Sequence, residues 1–188
     1  MNDRIKVNIT VGRFQPFTNG HLKCVEEAMK ELGVPTVLCI INTPDDKADL
    51  RHPFPTSLLL PIYNELKDSY KNIIDIVTVT NADIVKIGET LNDKYEIVSW
   101  TCGTDRIDAY RNQTIKYKEK AGLSDDFKMI EVKRGDEDIS ATKVRKALLE
   151  GDIRMFNKLT PYNTLKSFLK GDNSVYDKLR AQLLKITQ

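Results

Sequence analysis

The chain has 188 residues, with 29 lysines and arginines against 27 aspartates and glutamates and a formal net charge of +2. This length suits one domain, or a domain with a small appendage, around one substantial core. The near balance of charge argues against nucleic acid or a membrane surface as a partner. Apolar runs fall short of the roughly 20 residues that a membrane span needs, and the amino terminus lacks a signal-peptide core. We therefore expect a soluble, cytoplasmic protein.

The elements alternate between strand and helix along the chain. Predicted strands are Ile5–Val11, Thr36–Ile41, Ile73–Val79, Glu96–Cys102 and Lys128–Val132, and predicted helices are Gly20–Leu32, Thr56–Tyr70, Asp83–Leu91 and Asp105–Ala121. This alternation predicts an α/β fold, a Rossmann-like three-layer sandwich with a five-stranded parallel sheet. We expect one such domain over residues 1–150 and a C-terminal helical extension over residues 151–188 that covers it.

The three cysteines, Cys24, Cys39 and Cys102, lie in apolar segments and lack the spacing of a metal site. An odd number of cysteines with no such spacing is typical of reduced thiols in the core of an intracellular protein. We expect all three to be buried and reduced.

The turn after the first predicted strand has the character of a phosphate site. Its sequence is Gly12-Arg13-Phe14-Gln15-Pro16-Phe17-Thr18-Asn19-Gly20-His21, and an amphipathic helix follows. The start of a helix attracts anions through its unpaired N–H groups and positive dipole end, and Arg13, Gln15, Thr18 and His21 add donors. The pattern is neither a G-x-G-x-x-G fingerprint nor a Walker A loop. Taken alone, a histidine at a helix start is more often structural than catalytic.

Two further turns have a similar character. In Ile139-Ser140-Ala141-Thr142-Lys143-Val144-Arg145, two hydroxyls at a helix start precede an arginine that can grip phosphate with two donors. Gly103-Thr104-Asp105-Arg106 follows the fourth strand and can approach a ribose or base. Each has a plain alternative, an N-cap with a solvated arginine or a capped turn. Together, three such turns at strand ends favour a nucleotide site.

These motifs resemble those of the HxGH-type nucleotidyltransferase superfamily. Thr18-Asn19-Gly20-His21 is similar to its (H/T)-x-G-H, and Ile139–Arg145 to its I-S-S-T-x-x-R with alanine at the third position. The resemblance covers roughly residues 5–150. Gly12–Phe17 looks most like archaeal-type nicotinamide mononucleotide adenylyltransferases. Thr18 replaces their histidine, as in phosphopantetheine adenylyltransferases, and Pro53–Leu59 resembles their P-F-T-x-G-E-R segment without its arginine.

The resemblance implies transfer of a nucleoside monophosphate, foremost AMP from ATP, onto a phosphorylated small molecule, foremost nicotinamide mononucleotide. Pyrophosphate would leave. The implied catalytic residues are His21, with Thr18 beside it, at the α-phosphate and Arg145 at the β- and γ-phosphates. The implied nucleotide-binding residues are Gly12, Arg13, Phe14, Gln15, Gly20, Gly103, Asp105, Arg106, Ile139, Ser140 and Thr142.

Magnesium would arrive on the triphosphate, because the sequence offers no carboxylate cage of its own. The resemblance also implies a homo-oligomer. The alternatives are a cytidylyltransferase that uses CTP, a phosphopantetheine-type adenylyltransferase, and a non-catalytic nucleotide-binding module with a regulatory or structural role. Intact His21 and Arg145 argue against the last of these.

Overall fold

A computed structural model describes residues 3–133, 139–171 and 173–188. The described residues form five parallel strands with flanking helices, which confirms the predicted Rossmann-like α/β class. The strands are β1 (Ile5–Gly12), β2 (Thr36–Ile41), β3 (Ile73–Val79), β4 (Tyr95–Gly103) and β5 (Lys128–Val132). The helices are α1 (Asn19–Leu32), α2 (Thr56–Ser69), α3 (Ile84–Leu91), α4 (Thr104–Tyr117), α5 (Ala141–Glu150), α6 (Ile153–Leu159), α7 (Lys166–Leu169) and α8 (Ser174–Thr187).

The strand order in the sheet is β3-β2-β1-β4-β5, with every neighbouring pair parallel. The chain runs outward from β1 through β2 to β3 and then returns to place β4 on the other side of β1. The boundary between β1 and β4 is therefore the topological switch point, where open α/β sheets bind ligands. β1 ends at Gly12 and β4 ends at Gly103, at the same edge of the sheet.

The chain divides into two compact units, and the first contains the sheet. This unit comprises Met1–Gly12, Lys23–Ile41 and Asn72–Gly135. Its core is apolar and includes the fully buried Ile9, Val37 and Trp100. Such side chains can face either side of the strands because a parallel sheet is covered on both faces.

One buried polar network crosses the centre of this sheet. The Asn8 amide nitrogen donates to the hydroxyls of Thr36, at 3.0 Å, and Thr101, at 2.8 Å, and its amide oxygen accepts from the Ser99 hydroxyl at 2.8 Å. All four side chains are fully buried. A satisfied network of this kind favours one strand register, because a slip would leave buried polar atoms without partners.

The second unit comprises Arg13–Leu22, Asn42–Lys71 and Asp136–Gln188. It contains the turn that follows β1, the start of α1, α2, and the C-terminal helices α5 to α8. The buried residues Val175, Leu179 and Leu183 form an apolar stripe along α8. The C-terminal segment therefore belongs to the same compact unit as the first turn, and a domain boundary at residue 150 stays a prediction.

The local predictions agree with the structure to within a few residues. β2, β3 and β5 have the predicted bounds, while α4 ends at Tyr117 rather than Ala121, and a turn over residues 118–122 follows it. Cys24, Cys39 and Cys102 are free and buried, as predicted, and burial raises the pKa of each thiol. Within the described ranges, no helix is long and apolar enough to cross a membrane.

Candidate active site

Two buried tyrosines hold the turn between β1 and α1. The Tyr63 hydroxyl on α2 donates to the Phe14 carbonyl at 2.6 Å and accepts the Phe17 N–H at 2.9 Å. The Tyr162 hydroxyl donates to the Phe17 carbonyl at 2.8 Å. Burial raises the pKa of both hydroxyls, so both remain protonated donors at neutral pH. The backbone of the turn is therefore fixed from inside the unit.

The same turn carries a strained residue next to a double hydrogen bond. Phe14 has a φ of 48°, a left-handed conformation that costs free energy in a non-glycine residue. The Gln15 amide donates to the Phe54 carbonyl and accepts the Phe54 N–H, both at 2.8 Å. The sequence indicated Gln15 as a side-chain donor for phosphate. The structure instead pairs its buried amide with the backbone of Phe54, so only its backbone is available for that role.

His21 lies in the first turn of α1, as predicted. Its Nδ1 accepts the Thr18 backbone N–H at 2.9 Å, and the Thr18 hydroxyl lies 3.2 Å from the same nitrogen. A neutral imidazole whose Nδ1 accepts carries its hydrogen on Nε2. The rings of Phe14 and Phe17 flank the imidazole at centroid distances of 4.9 and 5.4 Å. The surroundings thus fix both the orientation of the ring and its donor atom.

Thr18 caps α1 and positions His21. Its side chain is 1% exposed, and its hydroxyl accepts the Gly20 N–H at 3.2 Å. Its carbonyl accepts the Leu22 N–H at 3.0 Å. All of these bonds lie within the start of the helix. Thr18 in this structure therefore acts as a positioning residue rather than as a donor to a ligand.

The two sequence motifs meet at Gly20. A Cβ atom at this position would lie 3.1 Å from the Ile139 carbonyl oxygen, closer than ordinary van der Waals contact. Glycine therefore allows the first turn of α1 to pack against the backbone just before α5. Ser140 is the predicted N-cap of α5, and its hydroxyl oxygen accepts the Lys143 N–H at 3.2 Å.

Arg145 joins the α5 motif to the turn after β1. Its Nη1 donates to the Gln15 carbonyl at 2.7 Å, and its Nη2 lies 3.3 Å from the Thr142 hydroxyl oxygen. The side chain is half-buried, and burial lowers the pKa of the guanidinium, which still stays charged at neutral pH. A partly desolvated, oriented guanidinium is well suited to bind phosphate oxygens.

Arg13 adds to the positive charge of this unit, which also contains His52. Arg13 Nη1 donates to the Asn42 carbonyl at 3.0 Å and lies 3.3 Å from the Thr43 hydroxyl oxygen. His52 is not among the residues that the sequence motifs predict for the site. Burial, and then the charge of Arg13, lower the pKa of His52, with smaller contributions from Arg51 and Arg145. The available signal was that His52 is one of only two histidines and stands next to the Pro53-Phe54 segment.

The remaining predicted residues lie in the first unit. Gly12 closes β1, and Gly103 closes β4 and is the N-cap of α4. Asp105 and Arg106 are exposed in the first turn of α4. A Cβ at Gly103 would lie 3.0 Å from Asp105 Oδ1, so glycine lets that carboxylate fold over the strand end. The structure thus confirms their placement at a strand end, while their contact with a nucleotide stays a prediction.

No three His, Cys, Asp or Glu side chains cluster as a metal site within the described part of the chain. Hydroxyl and cationic donors surround the first turn instead, and these suit phosphate oxygens better than a cation. These donors can therefore bind the phosphates of a nucleotide, and the phosphates in turn can hold a divalent ion.

A parallel sheet whose first strand leads into a rigid, donor-rich helix start defines a nucleotide-binding α/β protein. The sequence model of the cytidylyltransferase-like family matches residues 9–147. The chain belongs to this family, and it is therefore a nucleotidyltransferase of the HxGH superfamily, which confirms the resemblance of its motifs.

Solved structures of similar fold include nucleotidyltransferases of the pyridine nucleotides. Plasmodium falciparum nicotinic acid mononucleotide adenylyltransferase, complexed with NaAD, is 16% identical with a TM-score of 0.58, over 93% of this chain and 98% of that one. A bifunctional NMN adenylyltransferase/ADP ribose pyrophosphatase from Francisella tularensis is 19% identical with a TM-score of 0.58, over 94% of this chain and 53% of that one. Thermotoga maritima TmcAL, bound with alpha-thio ATP, is 12% identical with a TM-score of 0.53, over 96% of this chain and 56% of that one.

At these identities the likeness establishes a shared fold. The chain spans about half the length of the Francisella and Thermotoga proteins. No curated protein sequence matches it.

Proposed function

We propose that the protein transfers AMP from ATP to nicotinamide mononucleotide, which forms NAD and releases pyrophosphate. The observation that carries this proposal is the oriented His21 imidazole on the same turn whose Gln15 carbonyl holds Arg145. The names of the Plasmodium and Francisella neighbours support a pyridine mononucleotide as acceptor. Both share the fold of this chain at low identity.

The reaction needs no nucleophile from the protein. A phosphate oxygen of the acceptor attacks the α-phosphorus of ATP in line, and the bond from that phosphorus to the pyrophosphate oxygen breaks. The protein contributes positioning and stabilisation of developing negative charge. His21 would donate from Nε2 to an α-phosphate oxygen, and Thr18 would keep the ring in the required orientation through its bond to Nδ1.

The leaving pyrophosphate would be bound by the start of α5 and by the arginines. The Ser140 oxygen accepts the Lys143 N–H, so its own hydrogen is available to donate to a phosphate. Thr142 and Arg145 lie one turn apart on the same helix and already contact each other. A divalent ion held by the triphosphate would supply further charge neutralisation.

A pyrophosphate-release assay tests the proposal. ATP and CTP are each combined with nicotinamide mononucleotide, nicotinic acid mononucleotide, phosphopantetheine and glycerol phosphate, and mass spectrometry identifies the products. We expect the highest kcat/KM for ATP with nicotinamide mononucleotide. Phosphopantetheine is included because Thr18 replaces a histidine, as in phosphopantetheine adenylyltransferases. Nicotinic acid mononucleotide is included because the Plasmodium neighbour is named for it.

A His21→Ala variant purified in the same way controls for contaminating enzymes. A preference for CTP would favour a cytidylyltransferase, and a preference for phosphopantetheine would replace the acceptor. Absence of pyrophosphate release in every combination would overturn the proposal in favour of a non-catalytic nucleotide-binding module.

A further inference from the structure

The turn that carries His52 is held by hydrogen bonds to backbone groups. Asp49 Oδ1 accepts the N–H groups of Arg51 and His52 at 2.9 and 2.7 Å, and the Asp49 N–H donates to the His52 carbonyl at 3.2 Å. On the other side, the Gln182 amide donates to the Pro53 carbonyl at 3.0 Å. The His52 side chain is 33% exposed and takes no part in these bonds. The turn therefore keeps its structure when that side chain changes.

Gln15 connects this turn to the site described above. Its side chain pairs with the backbone of Phe54, two residues after His52, while its carbonyl accepts the guanidinium of Arg145. Arg13 stands two residues before Gln15 and is held at Asn42 and Thr43. Through Gln15 and Phe54, the turn of His52 is thus connected to Arg145 of the predicted phosphate site, and Gln15 follows Arg13 by two residues.

The charges around His52 act mostly in one direction. Burial lowers its pKa most, followed by the positive charge of Arg13, and Arg51 and Arg145 lower it further. Asp49, whose carboxylate lies 4.0 Å from Nδ1, acts in the opposite direction. Without an anion, a further positive charge beside these arginines is disfavoured, and the neutral imidazole is favoured.

We propose that His52 is a further phosphate-binding residue, which takes up a proton and donates a hydrogen bond to a substrate phosphate oxygen beside Arg13 and Arg145. The choice of substrates rests on the proposed function. A bound phosphate adds negative charge beside the imidazole, so it favours the imidazolium that the arginines disfavour. The pKa of His52 is then below its ordinary value without ligand and above it with ligand. Binding takes up a proton between these two pKa values, and affinity falls as the pH rises through this window.

NMR of the histidine rings measures this directly, because the chain contains only two histidines. The His52→Gln variant assigns the His52 signal, and the pKa is followed without ligand and with inorganic pyrophosphate, ATP or nicotinamide mononucleotide. We expect the pKa of His52 to rise by about one unit with at least one of these ligands. A rise with pyrophosphate and ATP assigns His52 to the leaving phosphates, and a rise with the mononucleotide alone assigns it to the acceptor.

Calorimetry on four proteins complements the NMR. Between about pH 6 and about pH 8.5, the affinity of the wild type should fall about tenfold relative to His52→Gln. Dividing the affinity of the wild type by that of His52→Gln at each pH removes the effect of the ligand's own titration, which is the same for all variants. His52→Arg should bind tightly at both pH values, because its charge is permanent. Lys47→Gln, which removes an exposed positive charge from the same loop, should behave like the wild type.

The inference is overturned if none of the three ligands moves the pKa of His52, or if the wild type and His52→Gln show the same pH dependence. Neither measurement requires turnover. If a ligand shifts the pKa of His52 but the protein forms no product, the proposed function is contradicted and this inference stands. If the protein forms NAD but no ligand shifts the pKa of His52, this inference is contradicted and the proposed function stands.

Discussion

The turn after β1 and the turn after β4 both lie at the carboxyl ends of neighbouring parallel strands, yet they are built differently. The first is buried and held by contacts from distant parts of the chain: Tyr63 on α2, Phe54 before it and Tyr162 in the C-terminal segment. The second leads from Gly103 directly into α4, with Thr104, Asp105 and Arg106 exposed.

This difference indicates a division of tasks. Stabilising a transition state requires donors fixed to within a fraction of an ångström, and rigid surroundings provide that precision. Recognition of a ribose or base tolerates exposed side chains that adapt to the ligand. We therefore expect changes at the first turn to lower kcat strongly, and changes at the second to alter KM weakly.

The largest effect should come from His21→Ala. Loss of a donor that acts in the transition state lowers kcat by about a hundredfold or more. Steady-state pyrophosphate release measures kcat, and circular dichroism checks that the fold is retained. His21→Gln, which keeps an N–H donor near the same place, should lose less. A near-normal kcat in His21→Ala would remove this residue from the mechanism and with it the contrast between the two turns.

A smaller effect is expected for Arg145→Ala, chiefly on binding of the triphosphate. Charged hydrogen bonds to phosphate are worth enough for KM for ATP to rise about tenfold or more. Arg145→Lys is the matched control, since it keeps the charge but loses the two-donor geometry and should recover part of the affinity. Calorimetry with ATP gives the affinity independently of turnover, and an unchanged value in Arg145→Ala would refute this role.

Tyr63→Phe tests whether rigidity of the first turn matters. The change leaves the Phe14 carbonyl and the Phe17 N–H without their buried partner, which should lower the free energy of unfolding by about 2 kcal/mol. Urea unfolding measures this loss, and kcat should fall several-fold at constant KM for ATP. A purely structural tyrosine would leave kcat of the folded fraction unchanged.

Tyr70→Phe is the control for that experiment. Tyr70 is the C-cap of the same helix, and its hydroxyl accepts an exposed bond from Thr164 at 3.1 Å. Water replaces such a bond, so both stability and kcat should stay close to those of the wild type.

The strands and the positions of the two motifs could be predicted because both depend on local sequence patterns. Short apolar, β-branched segments predicted β2, β3 and β5 with their observed bounds. The motif spacing also predicted the positions of His21, in the first turn of α1, and of Arg145, one turn into α5; their roles stay a prediction.

What the sequence left open depends on contacts between distant residues. Tyr162 reaches Phe17 across 145 positions and Tyr63 reaches it across 46, so no local pattern indicates either residue. Gln15 was expected to offer its side chain to phosphate for the same reason, since its true partner, Phe54, is 39 positions away. His52 lacks a motif altogether, and only its place in the fold, on a turn that Phe54 and Gln15 connect to Arg145, draws attention to it.

The smallest effect is expected at the second turn, with Asp105→Asn. The side chain is exposed, and an amide keeps an acceptor where the carboxylate stood, so KM for ATP should rise only about threefold with kcat unchanged. Asp108→Asn, an exposed change one turn further along α4, is the control and should have no effect. If Asp105→Asn instead lowers kcat as much as His21→Ala does, the second turn takes part in the chemical step, because an exposed recognition contact would act on KM alone. Rigidity would then not separate the two turns by task, and Asp105 would have to be oriented by the bound nucleotide itself.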